Sequence, residues 1–193
     1  MSEKERIPLA EAERIAAELV EMLRPACERI EIAGSIRRRK ADVGDIELLA
    51  IPRIMPVRNL LGEPAACIDK LDLLCRELVR GGVLMAREAN GRSALGPRYK
   101  RLAYQGFPVD LFSVLPPAQF GVLFLIRTGP AEFSRRFVTH RRRGGMLPEW
   151  LVVREGALWQ RMPDRLLKLV DAPEEGDVFR LLSIDYIPPE ARR

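Results

Sequence analysis

Asp45 and Glu47 stand two residues apart in GDIELLAIP, a run that reads as a strand over 45–51. Side chains two apart on a strand leave from the same face, so these carboxylates point together while Ile46 and Leu48 turn the other way, into a core. Adjacent carboxylates repel, and holding both ionised in one place calls for a cation between them. A hard divalent ion with oxygen ligands, such as Mg²⁺, suits that donor set. A third carboxylate, Asp110, sits in the apolar run PVDLFSV. If its strand lies beside 45–51, three carboxylates converge, enough to hold two metal ions for in-line phosphoryl transfer. An acid–x–acid pair is also a common solvated feature, so its neighbours matter. Upstream, Gly34-Ser35 makes a tight turn into a basic segment, offering backbone N–H groups and a hydroxyl to a phosphate. Arg37 and Arg38 follow at once and can neutralise triphosphate charge.

The elements that must position these groups come from a chain of 193 residues, 47% apolar and 31% charged, a globular balance sufficient for one domain or two small lobes. No apolar run is long enough to span a membrane, and the charged, amphipathic start does not read as a secretory signal. Three cysteines at positions without metal-type spacing fit a reduced, cytoplasmic setting, and a single histidine excludes a multi-histidine metal site. Of the net charge of +5, all of it falls between Arg127 and Arg154, where seven arginines face two acids. A basic patch on a near-neutral body points to a polyanionic partner, nucleic acid first.

Periodicity predicts a helix over 9–23, a strand at 30–33, a helix over 68–80 closed by Gly81-Gly82, and strands at 83–86, 99–104 and 107–114. Beyond Pro116-Pro117 come a helix over 118–126, the turn Thr128-Gly129-Pro130, a basic helix over 131–143 ended by Gly144-Gly145, a strand-like patch at 151–159, and helical segments at 164–170 and 176–183. Phe133 and Phe137 read as core, and Trp150 and Trp159 as packing residues of the smaller lobe.

On these residues the sequence resembles the DNA polymerase X family, the polymerase beta-like members of the nucleotidyltransferase superfamily. The resemblance spans nearly the whole chain: RIP at Arg6-Ile7-Pro8, GSIRR at Gly34 to Arg38, GDIE at Gly44 to Glu47, Asp110, Thr128-Gly129 ahead of a helix with Phe133 and His140, and a tail with Asp177-Val178-Phe179, Tyr186, Pro189 and Arg192. It implies an α+β fold: a nucleotidyltransferase palm over 1–116, with a mixed sheet carrying the carboxylates, and a helical and β thumb-like lobe over 117–193. By position, Asp45 and Glu47 would bridge two Mg²⁺ ions, with Mn²⁺ able to substitute, and Asp110 would ligate the ion that activates a primer 3′-hydroxyl. Gly34, Ser35, Arg38 and Gly44 would hold the incoming dNTP with help from Arg6, and Thr128, Gly129 and Ser134 would line the rest of the nucleotide site. Lys100, Arg101, Arg127, His140, Arg141, Arg142 and Arg143 would meet DNA, gapped or primer-template. The implied activity is DNA synthesis at short gaps in repair, by a monomer.

The chain departs from the family pattern at several positions. Glu47 replaces the usual Asp; Ile126-Arg127 replace an aromatic pair that packs on the sugar; Pro130 follows the Thr-Gly pair and suits a cis bond; Ser134 and Val138 stand where an asparagine and an arginine are common. Fidelity and sugar choice are thereby open. The family's N-terminal lyase domain has no counterpart in the sequence, so no lyase activity is expected. Two other readings use the same carboxylates: transfer to an RNA end, a protein or a small molecule, and untemplated addition to a DNA end. A catalytically silent DNA-binding module is the third alternative.

Overall fold

Leu9–Leu23 forms helix α1 because its apolar residues recur at helical spacing, and Ala12, Ile15, Ala16, Leu19 and Leu23 are all buried. In the computed structural model, which describes residues 6–59, 61, 63–87 and 93–193, the chain folds as two units. The first comprises 1–32 and 41–113, and the second 33–40 and 114–193. Among the described residues no helix is long and apolar enough to cross a membrane.

The first unit opens with β1 (Ile7–Pro8), α1 and β2 (Cys27–Ile32). The chain then leaves for the second unit through the short helix α2 (Gly34–Arg37) and returns with β3 (Asp42–Val43), which pairs antiparallel with β1. Next come β4 (Ile46–Pro52), β5 (Ile54–Arg58), β6 (Pro64–Asp69), α3 (Lys70–Arg80), β7 (Met85–Ala86), β8 (Tyr99–Tyr104) and β9 (Phe107–Ser113). Asp69 caps α3 by accepting from the Asp72 amide at 2.9 Å. Five strands make a mixed sheet in the order β2-β4-β9-β8-β7. Only the central β4–β9 pair is parallel; the rest are antiparallel. Ile46, Leu48, Val109 and Leu111 have no solvent exposure, and α1 and α3 pack against β4. The unit is thus α+β with a mixed sheet. The hairpin of β5 and β6 stands as a separate two-stranded ribbon for which the sequence predicts no strand, and its last residues, Ile68 and Asp69, take the place of the expected start of the helix over 68–80.

The second unit contains α4 (Phe120–Thr128), α5 (Ala131–Val138), β10 (Leu151–Arg154), β11 (Ala157–Arg161), β12 (Leu167–Val170) and α6 (Glu175–Leu181). Its core gathers Val122, Leu125, Phe133, Phe137, Leu158, Val178 and Phe179, so both phenylalanines of α5 are core residues. Gly121 lets α4 meet the backbone at Glu174, where a Cβ would come within 2.3 Å of the carbonyl.

Three expectations are corrected here. The basic helix over 131–143 stops at Val138: Thr139 is extended, its hydroxyl bonds back to the Arg135 carbonyl at 2.6 Å, and His140 forms a parallel bridge with Leu147. Arg141–Arg143 is a separate 3₁₀ turn. The segment 164–170 is not helical, because Leu167–Val170 pairs with β11 as the third strand of an antiparallel sheet. The cis peptide bond lies at Pro116-Pro117 and not at Pro130.

Candidate functional site

In the first unit, β4 and β9 run side by side, and Glu47 is in register with Asp110. Residues in register share a face, and Arg101 of β8 completes the row on the far side of Asp110. The next row on that face is Leu49, Phe112 and Tyr99. Tyr99 stacks on Phe112 with centroids 4.8 Å apart and planes 6° from parallel. That stacking aims the phenol at the row of charges: the Tyr99 hydroxyl accepts from Arg101 Nε at 3.1 Å and hydrogen-bonds Asp110. Asp45 sits immediately before β4, two residues from Glu47.

Burial pushes the Asp110 carboxyl above the usual carboxylate range. The Tyr99 hydrogen bond opposes this, the negative charge of Asp45 adds to it, and Arg87 and Arg101 pull the other way. Asp45, Glu47 and Asp110 are each partly exposed. Among the described residues, however, no three His, Cys, Asp or Glu side chains stand as a ready metal-binding group. The expected convergence of three carboxylates is therefore met in strand adjacency and register but not in a closed ligand cluster. Asp110 is engaged with the Tyr99 hydroxyl. The donor set itself fits Mg²⁺ or Mn²⁺: the oxygens are anionic, and Asp110 carries a cost of charge that a cation would relieve.

Lys100 does not reach the surface. It is fully buried, and its ammonium pairs with Asp72 Oδ1 at 3.0 Å and donates to the Gly96 carbonyl at 3.1 Å. Its ammonium is thus engaged inside the first unit rather than presented to solvent. Arg101 is only partly buried and remains next to Asp110. Arg6 is exposed, and Gly44 has open space around it.

In the second unit, Gly34 has a left-handed φ of +62°, which glycine adopts at no steric cost. The Ser35 hydroxyl is buried without a hydrogen-bond partner among the described residues, and its carbonyl accepts from Lys40. The Arg38 guanidinium donates to the Thr128 carbonyl. The Thr128 hydroxyl, fully buried, accepts from Arg37 at 2.8 Å. Gly129 ends α4, and a Cβ there would press on Phe133 and Ser134 at 2.8 and 2.9 Å. Ser134 donates its hydroxyl proton to the Ile126 carbonyl at 2.7 Å.

Arg37 is committed elsewhere than the reading of triphosphate neutralisation supposed. It makes a two-pronged ion pair with Glu175, at 3.0 and 2.8 Å. Glu175 also accepts from Arg192 at 2.6 Å and from the Tyr186 hydroxyl at 3.0 Å. Arg192 is nearly buried and lies against Phe133, Phe179 and Tyr186, 5.4 to 5.8 Å from their ring centres. Burial works to raise the Glu175 carboxyl, but the bonds and charges of Arg192 and Arg37 outweigh it and hold the group below its usual value. Sequence reasoning did not single out Glu175. One acid among three near a helix start gives no signal of two arginines lying 138 residues before it and 17 after it.

The basic stretch divides by use. Arg135, Arg136 and Arg143 are exposed. Arg142 pairs with Glu149 at 3.2 Å, and His140 lies 3.7 Å from the same carboxylate. Arg141 donates to the carbonyls of Met146 and Leu182. Arg127 lies on α4 and is half-buried. No protein-family model matches this chain, and no curated protein matches it.

Proposed function

We propose that the chain is a minimal DNA polymerase of the family X type, its first unit a nucleotidyltransferase palm, adding dNMP to a primer 3′-hydroxyl during short-gap repair. The observation that carries this reading is the register of Glu47 with Asp110 on adjacent parallel strands, with Asp45 two residues ahead. In this reading Asp45, Glu47 and Asp110 hold two divalent ions. Mg²⁺ bound there supplies neutralisation of charge on the attacking and departing oxygens. The 3′-hydroxyl loses its proton to solvent as its oxygen forms a bond to the α-phosphorus, the bond from that phosphorus to the oxygen bridging it to the β-phosphate breaks, and pyrophosphate leaves. Gly34 and Ser35 take the triphosphate through backbone N–H groups and the unsatisfied hydroxyl, and Arg38 adds positive charge. Arg37 supports that turn from behind through Glu175 rather than touching phosphate. Thr128 and Gly129 act through that turn, Thr128 by accepting from Arg37 and Arg38. Exposed Arg135, Arg136 and Arg143 supply phosphate contacts that weaken with salt. Catalysis rests on positioning and charge neutralisation.

The test is primer extension with Mg²⁺ or Mn²⁺ on a one-nucleotide gap, an open template-primer and a single strand, each with single dNTPs and NTPs, and Asp110→Ala as control. Templated extension that disappears in the variant supports the proposal, and the NTP lanes read sugar choice at Ile126-Arg127. Untemplated addition would replace it with a terminal transferase. No transfer to DNA by folded, metal-binding protein would overturn it and direct the search to RNA or protein acceptors.

A further inference from the structure

A tyrosine hydroxyl has a single proton to donate, and at Tyr99 that proton has one direction left. The oxygen accepts from Arg101 Nε at 3.1 Å, so the proton goes to Asp110, the other group with which the hydroxyl hydrogen-bonds. Several contacts hold the phenol in this place. Tyr99 is in register with Phe112, two residues beyond Asp110 on β9, and the two rings stack nearly parallel. Phe112 is itself buried, so the surface on which Tyr99 rests is packed. Arg101 is pinned at its backbone: its amide donates to the Ala94 carbonyl at 2.8 Å, and its carbonyl accepts from the Arg87 amide at 2.9 Å. Its guanidinium carbon lies 5.2 Å from the centre of the Tyr99 ring. The result is a directed chain of hydrogen bonds, from Arg101 to Tyr99 on β8 and from Tyr99 to Asp110 on β9.

An ionised carboxylate has two oxygens to offer a cation. Ca²⁺ takes about six to eight oxygens in a flexible shell and often both from one carboxylate, whereas Mg²⁺ demands a near-octahedral shell with short bonds. A donor that ties up one oxygen therefore favours the smaller ion, and hydrogen bonds behind a ligand also fix its orientation. We propose that Tyr99 is a positioning residue: by donating to one oxygen of Asp110 it leaves the other to a cation, and so biases the carboxylates of β4 and β9 towards Mg²⁺ or Mn²⁺ and against Ca²⁺. The proposal rests on the reading of Asp45, Glu47 and Asp110 as a divalent-cation site and adds which ion that site selects. The three carboxylates alone do not make that choice, since their oxygens suit either kind of ion.

Binding is read on the full chain, without nucleotide or DNA, from the electron paramagnetic resonance signal of free Mn²⁺. Ca²⁺ affinity is read by its displacement of Mn²⁺. Tyr99→Phe removes the hydroxyl and keeps the ring that stacks on Phe112, and thermal melting followed by circular dichroism checks that the variant folds as the parent does. In Tyr99→Phe, Mn²⁺ is expected to bind about ten-fold more weakly while Ca²⁺ affinity changes by less than about two-fold, so the preference for Mn²⁺ falls. Asp110→Asn loses Mn²⁺ binding, which shows that the ion counted is the one at the carboxylates. A ratio of Mn²⁺ to Ca²⁺ affinity that is unchanged or raised in Tyr99→Phe, whether both affinities fall or neither does, would overturn the role of Tyr99. Parent binding that depends on Asp110 would in that case leave the cation site standing. A parent that binds no Mn²⁺ would remove the site itself and the proposal with it.

Discussion

Arg37 and Glu175 are joined by a two-pronged ion pair across 138 residues of chain, with Glu175 only 5% exposed. The pair is one half of a buried group in which a single carboxylate serves two guanidinium groups, and the second, on Arg192, fastens the end of the chain to the same point. Since Arg37 belongs to the segment that carries Ser35 and Arg38, the ion pair also fixes the turn assigned to the triphosphate in the proposed reaction.

Removing the carboxylate strands buried Arg192 and partly buried Arg37, so Glu175→Ala is expected to cost about 3 kcal/mol in urea unfolding. The pH dependence has a definite sign. The folded-state carboxyl lies below its ordinary value of 4.5. The stabilisation is therefore complete above that pH and fades only as pH falls through the depressed folded value. The stability gap between the parent and Glu175→Gln should be wide at pH 7 and close only in strong acid. A gap that closes near neutrality would show that the guanidinium groups do not hold this carboxylate.

Lys100 tests the distinction between a buried charge and a surface one. Its ion pair with Asp72 is shared with Arg76, which bonds the same carboxylate at 2.7 Å and partly compensates its loss. Lys100→Met, which keeps the apolar stem, is expected to cost about 3 kcal/mol in chemical unfolding. On the proposed reading it leaves DNA affinity and its salt dependence unchanged. Arg136→Ala and Arg143→Ala, at exposed positions, each reduce the slope of log affinity against log salt by about one. A slope lowered by Lys100→Met would place that side chain at a phosphate after all.

Asp110 pays for its position. Burial, then the charge of Asp45, hold its carboxyl above the ordinary range against the pull of Tyr99, Arg87 and Arg101. Charging it therefore costs more in the folded chain than in the unfolded one. That penalty is present at neutral pH and relieved as pH falls through the raised value. Asp110→Asn should raise the melting temperature at pH 7, with the advantage shrinking on acidification, and on the proposed reading it abolishes nucleotide transfer. Added Mg²⁺ should stabilise the parent more than the variant. An unchanged or lower melting temperature at pH 7 would mean that the carboxylate is better compensated than its surroundings indicate.

Much of the local structure could be read from the chain itself. The three- and four-residue spacing from Leu9 to Leu23 marks α1, the alternation of Asp45 and Glu47 with Ile46 and Leu48 places acids and core on opposite faces of β4, and Gly34 marks a left-handed turn. These signals are written over a few residues, where backbone geometry and side-chain polarity act directly. Tertiary pairing decided the rest. The sequence 164–170 has no alternation strong enough to announce a strand, and it became one because β11 offered an unpaired edge. The hairpin of β5 and β6 carries Pro56 and Pro64, which weaken any strand signal until the two segments face each other. Lys100 reads as a surface cation until Asp72 of α3 is set over it, and Glu175 is an ordinary helix-start acid until Arg37 and Arg192 arrive from far along the chain. The composition and spacing of the residues determined which groups could carry charge, fill a core or bend the chain. Which of them meet depends on contacts between distant segments, whose free energy comes from burial and pairing that no local window contains.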